Sequence, residues 1–327
     1  MATLPDLLAA AIERRGPLLE RLAAERTDCV RLLHGATEGA PGVAIDRYGP
    51  VLLVQTWRQP LDDVDGLFAA AEQLPGLERL VWNHRPRGRG APEHPGVDTG
   101  DGGAVGREAG LAYDVTPRHR GRDPLLFLDL RAGRRRVREL ASGQRVLNLF
   151  AYTCGVGLAA ASGGAARVEN VDFAASALEV GRSNAERNQL PQEFVQEDFF
   201  VFARQRAGLP VGGRRRPRHR RYAAETADLV VLDPPRRARS RFGVVDTVGD
   251  YPSLLKPAVL ACCPGGAVLA TNNVASVDAE EWRESCERSA RKAGRPVAGW
   301  DWIAPEEDFP SPDGRPPLKM ALLRLQA

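Results

Sequence analysis

From Leu126 onward, apolar runs of strand length alternate with stretches of helical periodicity, a pattern that predicts a mostly parallel sheet. Arg145–Phe150, Arg167–Asp172, Phe194–Asp198 and Asp228–Asp233 read as buried strands. The small residues from Gly157 to Ala161 read as the start of a helix after the first of them. Strand, glycine turn and helix form the opening unit of a doubly wound, Rossmann-like α/β sheet, where ligands bind at the carboxyl ends of the strands. Leu318–Leu325 reads as a last strand in an antiparallel hairpin. Upstream the pattern differs. Leu4–Ala24 is helical with a break at Gly16-Pro17, and Val43–Ile45, Val51–Gln55 and Leu80–Trp82 are short strands. Arg85–Gly106 is rich in glycine, proline and charge without periodicity, and reads as a linker. The division expected is a small α+β domain over 1–98 and a second domain over 108–327, opened by a strand at Leu111–Val115.

The polar residues at the strand ends define candidate chemistry. Asp172 closes the second strand, where a carboxylate can accept both hydroxyls of a ribose. Asp198 closes the third and is placed to reach an adenine amino group. Asp233 closes the fourth and is followed by Pro234 and Pro235, which fix φ and withhold two backbone donors, so the carbonyls of a stiff loop face a substrate. The turn after the first strand, Asn148 to Gly157, carries glycines that let backbone approach a ligand. These groups fit an adenosine-containing cation better than a phosphate. A rival reading exists, because Gly155–Ala160 satisfies the dinucleotide pattern G-x-G-x-x-A with Asp172 downstream. Dinucleotide folds place the first glycine directly after the strand, whereas Ala151–Cys154 intervene here.

Taken together, these motifs resemble the large-subunit ribosomal RNA methyltransferases of the class I fold, the group containing cytosine-C5 and guanine-N7 enzymes. The likeness covers most of the chain. It is carried by Asn148–Gly155, by Phe127-Leu128-Asp129-Leu130-Arg131, by Asp233-Pro234-Pro235, by Asp250-Tyr251 to Leu254 and by Pro264-Gly265-Gly266. Asp308-Phe309-Pro310, Leu318-Lys319 and the N-terminal Arg31–Gly35 and Gly39–Gly49 segments extend it. The departures are Cys154 and Leu130 in place of the family's glycine and glutamine, and Asp123-Pro124-Leu125 where Lys-Thr-Gly commonly sits. Cys154 is expected to put a side chain where the cofactor's methionine end passes. The resemblance implies S-adenosylmethionine as cofactor, held by Asn148, Phe150, Tyr152, Thr153, Gly155, Asp172, Asp198 and Asp233. It implies an RNA substrate, 23S ribosomal RNA first of all. Asp233, Pro234, Pro235 and Asn273 are the candidate catalytic residues.

Composition narrows the picture further. Net charge is +3, and only Lys256, Lys292 and Lys319 are lysines, so arginine supplies nearly all positive charge. Arg134–Arg136, Arg214–Arg221 and Arg236–Arg241 form islands, and the last directly follows Asp233-Pro234-Pro235. Arginines clustered beside a crevice suit phosphate contact, so Arg236, Arg237 and Arg239 are candidate RNA contacts, and the resemblance of Phe127–Arg131 to the family's element makes Arg131 a candidate contact to RNA or cofactor. No apolar run approaches a membrane span, and Met1–Glu25 lacks a signal-peptide layout. Five cysteines without C-x-x-C spacing argue against a disulfide framework or a metal site, and for a reducing cytoplasm.

A nitrogen atom of a base is the expected methyl acceptor. Cytosine C5 needs a thiolate to add first at C6. On the family alignment that cysteine falls at Asn273, and no cysteine follows within ten residues. Two alternatives stand beside this reading. One is an RNA-binding paralogue that has lost catalysis, motivated by Cys154, Leu130 and Pro124. The other is a small-molecule methyltransferase.

Overall fold

The computed structural model describes residues 2–85, 96–117, 123–211, 220–240 and 243–327. Its contacts divide the chain into two compact units, Met1–Asp129 with Glu306–Gly314, and Leu130–Pro305 with Arg315–Ala327.

The first unit is built on a sheet of strands Cys29–His34, Val43–Tyr48, Val51–Thr56, Arg79–His84 and Val97–Asp98, in that spatial order. Val51–Thr56 and Arg79–His84 pair in parallel, joined by the helix Val64–Ala71. The expected N-terminal helix is two helices, Leu4–Arg14 and Gly16–Ala24, with the break where Gly16-Pro17 predicts it. The stretch expected as a linker is not all linker. Its described part supplies Val97–Asp98 and, in the first unit, a hairpin of Ala104–Glu108 with Leu111–Val115. Strands this short take their pairing from neighbours and leave no periodicity to read.

A segment distant in sequence completes this unit. Asp308 accepts the backbone N–H of Arg31 (2.9 Å), and the Phe309 ring lies 4.5 Å beneath the Arg31 guanidinium. That guanidinium is held bidentately by the buried Asp46 (2.7 and 3.0 Å). The Asp308-Phe309 motif is thus a structural clamp on the first strand.

The second unit is a seven-stranded sheet. Its strands are β1 (Arg145–Leu149), β2 (Arg167–Asp172), β3 (Glu193–Gln196), β4 (Ala227–Leu232), β5 (Cys262–Asn272), β6 (Val297–Trp302) and β7 (Lys319–Leu325). The spatial order is β3-β2-β1-β4-β5-β7-β6. The first five strands are mutually parallel, and β7 runs antiparallel to both β5 and β6. This is the Rossmann-like class I architecture expected from the sequence. Helices cover both faces. Leu147, Leu149, Val230 and Leu232 meet Phe202, Leu254, Leu255 and Trp282 on one side, while Val146, Leu229 and Val231 meet Val137 and Ala160 on the other. The strand order reverses between β1 and β4, so the ligand crevice belongs outside their carboxyl ends. Among the described residues, no helix is long and apolar enough to cross a membrane.

Candidate active site

Among the described residues, the turn after β1 concentrates backbone in the left-handed region. Phe150, Tyr152 and Cys154 all adopt positive φ (58°, 49° and 61°) without being glycine. Such conformations cost roughly 1–3 kcal/mol each and persist where the surroundings hold them. Asp172, at the end of β2, is one of those supports. One carboxylate oxygen accepts the N–H of Tyr152 and the other that of Ala174, both at 2.9 Å. Burial pushes the Asp172 carboxyl above the usual carboxylate range, and the backbone N–H bonds resist that rise. Phe150 stacks on Phe199, with centroids 4.7 Å apart and planes 22° from parallel. Thr153 is buried in the same turn.

Asp198 caps the helix Phe199–Arg206, accepting from the N–H groups of Phe200 (2.9 Å) and Val201 (3.4 Å). Beside Asp172, Phe173 is 60% exposed although large and apolar. Sequence reasoning misses it, and the one signal that marks it is an aromatic directly after the strand-end acid. Asp172 and Asp198 thus bring carboxylate oxygens, and Phe173 an exposed apolar face, to the ends of β2 and β3.

Two expectations are corrected here. Asn148, expected to hold cofactor, is buried within the sheet and donates to Asn170 (2.9 Å), which in turn donates to Gln192 (2.9 Å). Its amide nitrogen is engaged in this inter-strand ladder. Gly157 serves the same ladder, since a Cβ there would lie 2.0 Å from the Asn170 side-chain oxygen. Cys154 does not project into the path of a ligand either. Its side chain is buried against Ala151, Leu178 and Phe194, over Gly181 of the helix Ala175–Asn188.

At the other side of the crevice, Asp233 accepts a short hydrogen bond from the buried Thr271 hydroxyl of β5. Pro234 is buried and Pro235 exposed. The loop then forms a hairpin, Arg237–Ser240 with Gly243–Asp246. Thr247 ties its base down by donating backbone N–H and hydroxyl to the carbonyl of Arg236, both at 3.0 Å. Asn272 donates to the Thr247 carbonyl (3.4 Å) and accepts from the Val274 N–H (3.0 Å). The next helix, Ala279–Lys292, is capped by Asp278 and not by Asn272 or Asn273. Asn273 is exposed at the end of β5. Lys319, unassigned by sequence reasoning beyond its motif, is buried and donates to the Val274 carbonyl (2.9 Å), which fixes the turn carrying Asn273.

The candidate RNA contacts separate. Arg236 and Arg237 are exposed, and Arg237 lies 3.7 Å from Asp246. For Arg239 only the backbone, paired with Val244, falls among the described residues. Arg131 is corrected: it is completely buried at the start of the helix Arg131–Leu140, where no phosphate reaches it. Of the Arg214–Arg221 island, residues 214–219 lie outside the described residues.

A donor such as S-adenosylmethionine fits these residues. The Asp172 carboxylate joins the turn after β1 to the end of β2, and acids stand at the ends of β2 and β3, which pair in register as Gln196 with Asp172. No group of three or more potential metal ligands occurs among the described residues.

Comparison with known proteins agrees with this geometry. Residues 50–324 match the S-adenosylmethionine-dependent methyltransferase family. A ribosomal RNA large subunit methyltransferase of Deinococcus radiodurans is 33% identical over 301 residues, covering 88% of this chain and 70% of that protein. Ribosomal RNA large subunit methyltransferase I of Aeromonas salmonicida is 28% identical, covering 93% of this chain and 74% of that one. Among solved structures, SMU.776, a methyltransferase in complex with SAH, superposes with a TM-score of 0.79 at 22% identity, over 99% of this chain and 82% of that chain. A methyltransferase from Agrobacterium tumefaciens gives 0.62 at 19% identity, over 88% of each chain. At those identities the likeness speaks for the fold.

Proposed function

We propose that this chain, which belongs to the S-adenosylmethionine-dependent ribosomal RNA large subunit methyltransferase family, methylates a nitrogen atom of a base in 23S ribosomal RNA. The cofactor supplies an electrophilic methyl group. The protein's task is to hold acceptor and methyl in line and to exclude water, and such positioning contributes roughly 7–11 kcal/mol. In this reading the turn from Phe150 to Gly155 holds the methionine end, Asp172 the ribose and Asp198 the adenine. Asp233, Pro234 and Pro235 hold the target base, which must be unpaired or flipped out to be reached. Asn273 donates to or accepts from the base edge.

The observation that carries the choice of nitrogen is where the thiols are. Cys262 pairs with Ala227 at the amino-terminal end of β4, opposite the crevice, a strand of six residues or roughly 20 Å away. Burial pushes its thiol up to about 12; Cys263 donates to Asp228 at that same end, and Cys154 and Cys286 are buried among packed side chains. Cys29 is buried in a strand of the first unit. None of these supplies a thiolate over a base held by Asp233, whereas a ring nitrogen attacks the methyl with its own lone pair. The second reading is carbon-5 methylation, favoured by the resemblance to a group that includes cytosine-C5 enzymes. Nucleoside mass spectrometry after methylation of 23S RNA in vitro decides between them. We expect 7-methylguanosine, and 5-methylcytidine as the product would overturn the nitrogen assignment.

The small unit and the Arg236–Arg239 hairpin are proposed to grip the surrounding RNA. In the small unit, Trp57 and the exposed Arg58 line a depression of about 310 Å³ with Arg31 and His34. Replacing Arg236, Arg237 and Arg239 with alanine should reduce the slope of log affinity against log salt by about 0.7–0.9 for each phosphate that these side chains neutralise. A slope equal to that of the parent protein places these side chains away from the RNA. The paralogue reading loses one of its three motives, Cys154, whose side chain is turned into the protein. The small-molecule reading leaves the arginine hairpin without a role.

A further inference from the structure

The described residues of the catalytic unit hold a cavity of about 520 Å³. It is lined by the segments that follow β3 and β4: Phe200 and Arg204 on one wall, Ser240 and Val244 of the hairpin on another, and Asp250 and Ser253 at the start of the helix Tyr251–Ala261. Phe200 meets Phe199 edge to face (5.0 Å), and Phe199 stacks on Phe150. The cavity wall is therefore two ring contacts from the turn after β1. Val244 is 60% exposed although apolar, on a hairpin whose base is fixed by Thr247. Asp250 is exposed and stands at the helix start without capping it through its side chain.

We propose that this cavity holds an unpaired guanine of the RNA strand that bears the target nucleotide. The inference rests on the RNA-methyltransferase reading above. Phe200 and Val244 both contribute apolar surface to the cavity, and single-stranded bases are bound by stacking on such surface. The pairing edge of guanine presents N1–H and an N2 amino hydrogen side by side. A carboxylate has two acceptor oxygens at matching spacing, so Asp250 accepts both in charge-assisted bonds. Cytosine and adenine offer one such donor next to an acceptor, which meets a carboxylate oxygen unfavourably, and uracil offers one donor between two acceptors. Arg204 places a cation at the cavity wall for the phosphate. Its Nε is bonded to the Pro210 carbonyl (3.0 Å), and this orients the guanidinium. The cavity reads a neighbouring nucleotide and so helps select which base enters the crevice.

The test uses the full chain, with GMP and IMP as probes and 23S RNA as substrate. IMP lacks only the amino group. GMP should bind about tenfold more tightly than IMP, and Asp250→Asn should abolish that preference. Phe200→Ala should weaken both nucleotides. On RNA, Asp250→Asn should raise KM about tenfold with kcat and the cofactor's dissociation constant unchanged. GMP binding that ignores Asp250→Asn would put the nucleotide in the target crevice and overturn the proposal. Weakened cofactor binding in Phe200→Ala would assign the cavity to the adenosyl end and overturn it equally. Wild-type protein that methylates 23S RNA but shows no GMP preference sinks this proposal alone. Failure to methylate 23S RNA at all sinks the functional reading, while the nucleotide titrations still report on the cavity.

Discussion

Replacing Asp172 with alanine should raise the dissociation constant for S-adenosylmethionine about ten- to hundredfold. A hydrogen bond to a charged group contributes about 1.5–3 kcal/mol, which converts to that range of affinity. The loss has two sources in the structure. The ribose acceptor disappears, and so does the carboxylate that accepts the N–H of Tyr152 in a turn with three non-glycine residues at positive φ. Asp172→Asn separates them in part, since its amide oxygen can still accept one backbone N–H. Isothermal titration of both variants is the measurement. Equal affinity in Asp172→Ala and the parent would remove the ribose assignment. A pH series adds a second readout. The acceptor function needs the ionised carboxylate, and burial places its titration above the ordinary range. Affinity should therefore hold above that raised pKa and fall as pH drops through it, earlier than for an ordinary aspartate.

Gly181→Ala should destabilise the catalytic unit by about 1–3 kcal/mol, the usual effect of overpacking a filled interior. A helical glycine exchanged for alanine normally gains roughly 0.5–1 kcal/mol, so the sign itself is informative. The new methyl would lie 2.5 Å from the Cys154 sulfur and 2.9 Å from its Cβ, and Cys154 is buried. Cys154→Gly in the same chain should restore stability, because it removes the clashing group and relieves a left-handed residue at φ 61°. Denaturant unfolding of the single and double variants measures the coupling. A double variant no more stable than Gly181→Ala alone would show that another neighbour is responsible. The same pair explains how this chain tolerates a cysteine where the resemblance leads one to expect glycine: the thiol occupies the space that Gly181 leaves in the helix Ala175–Asn188.

By itself the sequence determined the α/β alternation, the order of the strand-end acids and the loop Asp233-Pro234-Pro235. These are local signals. A buried strand is an apolar run, and an acid or a proline pair at its end is visible without knowing the neighbours. The break at Gly16-Pro17 is legible for the same reason. Side-chain direction is not. Asn148 sits in the motif, yet whether it faces the crevice or the sheet depends on β2, which supplies Asn170 as its partner. Arg131 reads in the sequence as a candidate RNA contact, and only the fold buries it completely. Gly157 reads as a ligand-approach residue, but an amide on an adjacent strand is what requires it. The short strands at 97–98 and 104–108 are hidden because two- to five-residue segments take their register from partners distant in the chain. Lys319, which fixes the turn at Asn273, lies 45 residues from the carbonyl it holds. Only the tertiary structure joins such groups, because a hydrogen bond or a packed face is decided by which strands lie side by side, and a local pattern carries no record of that.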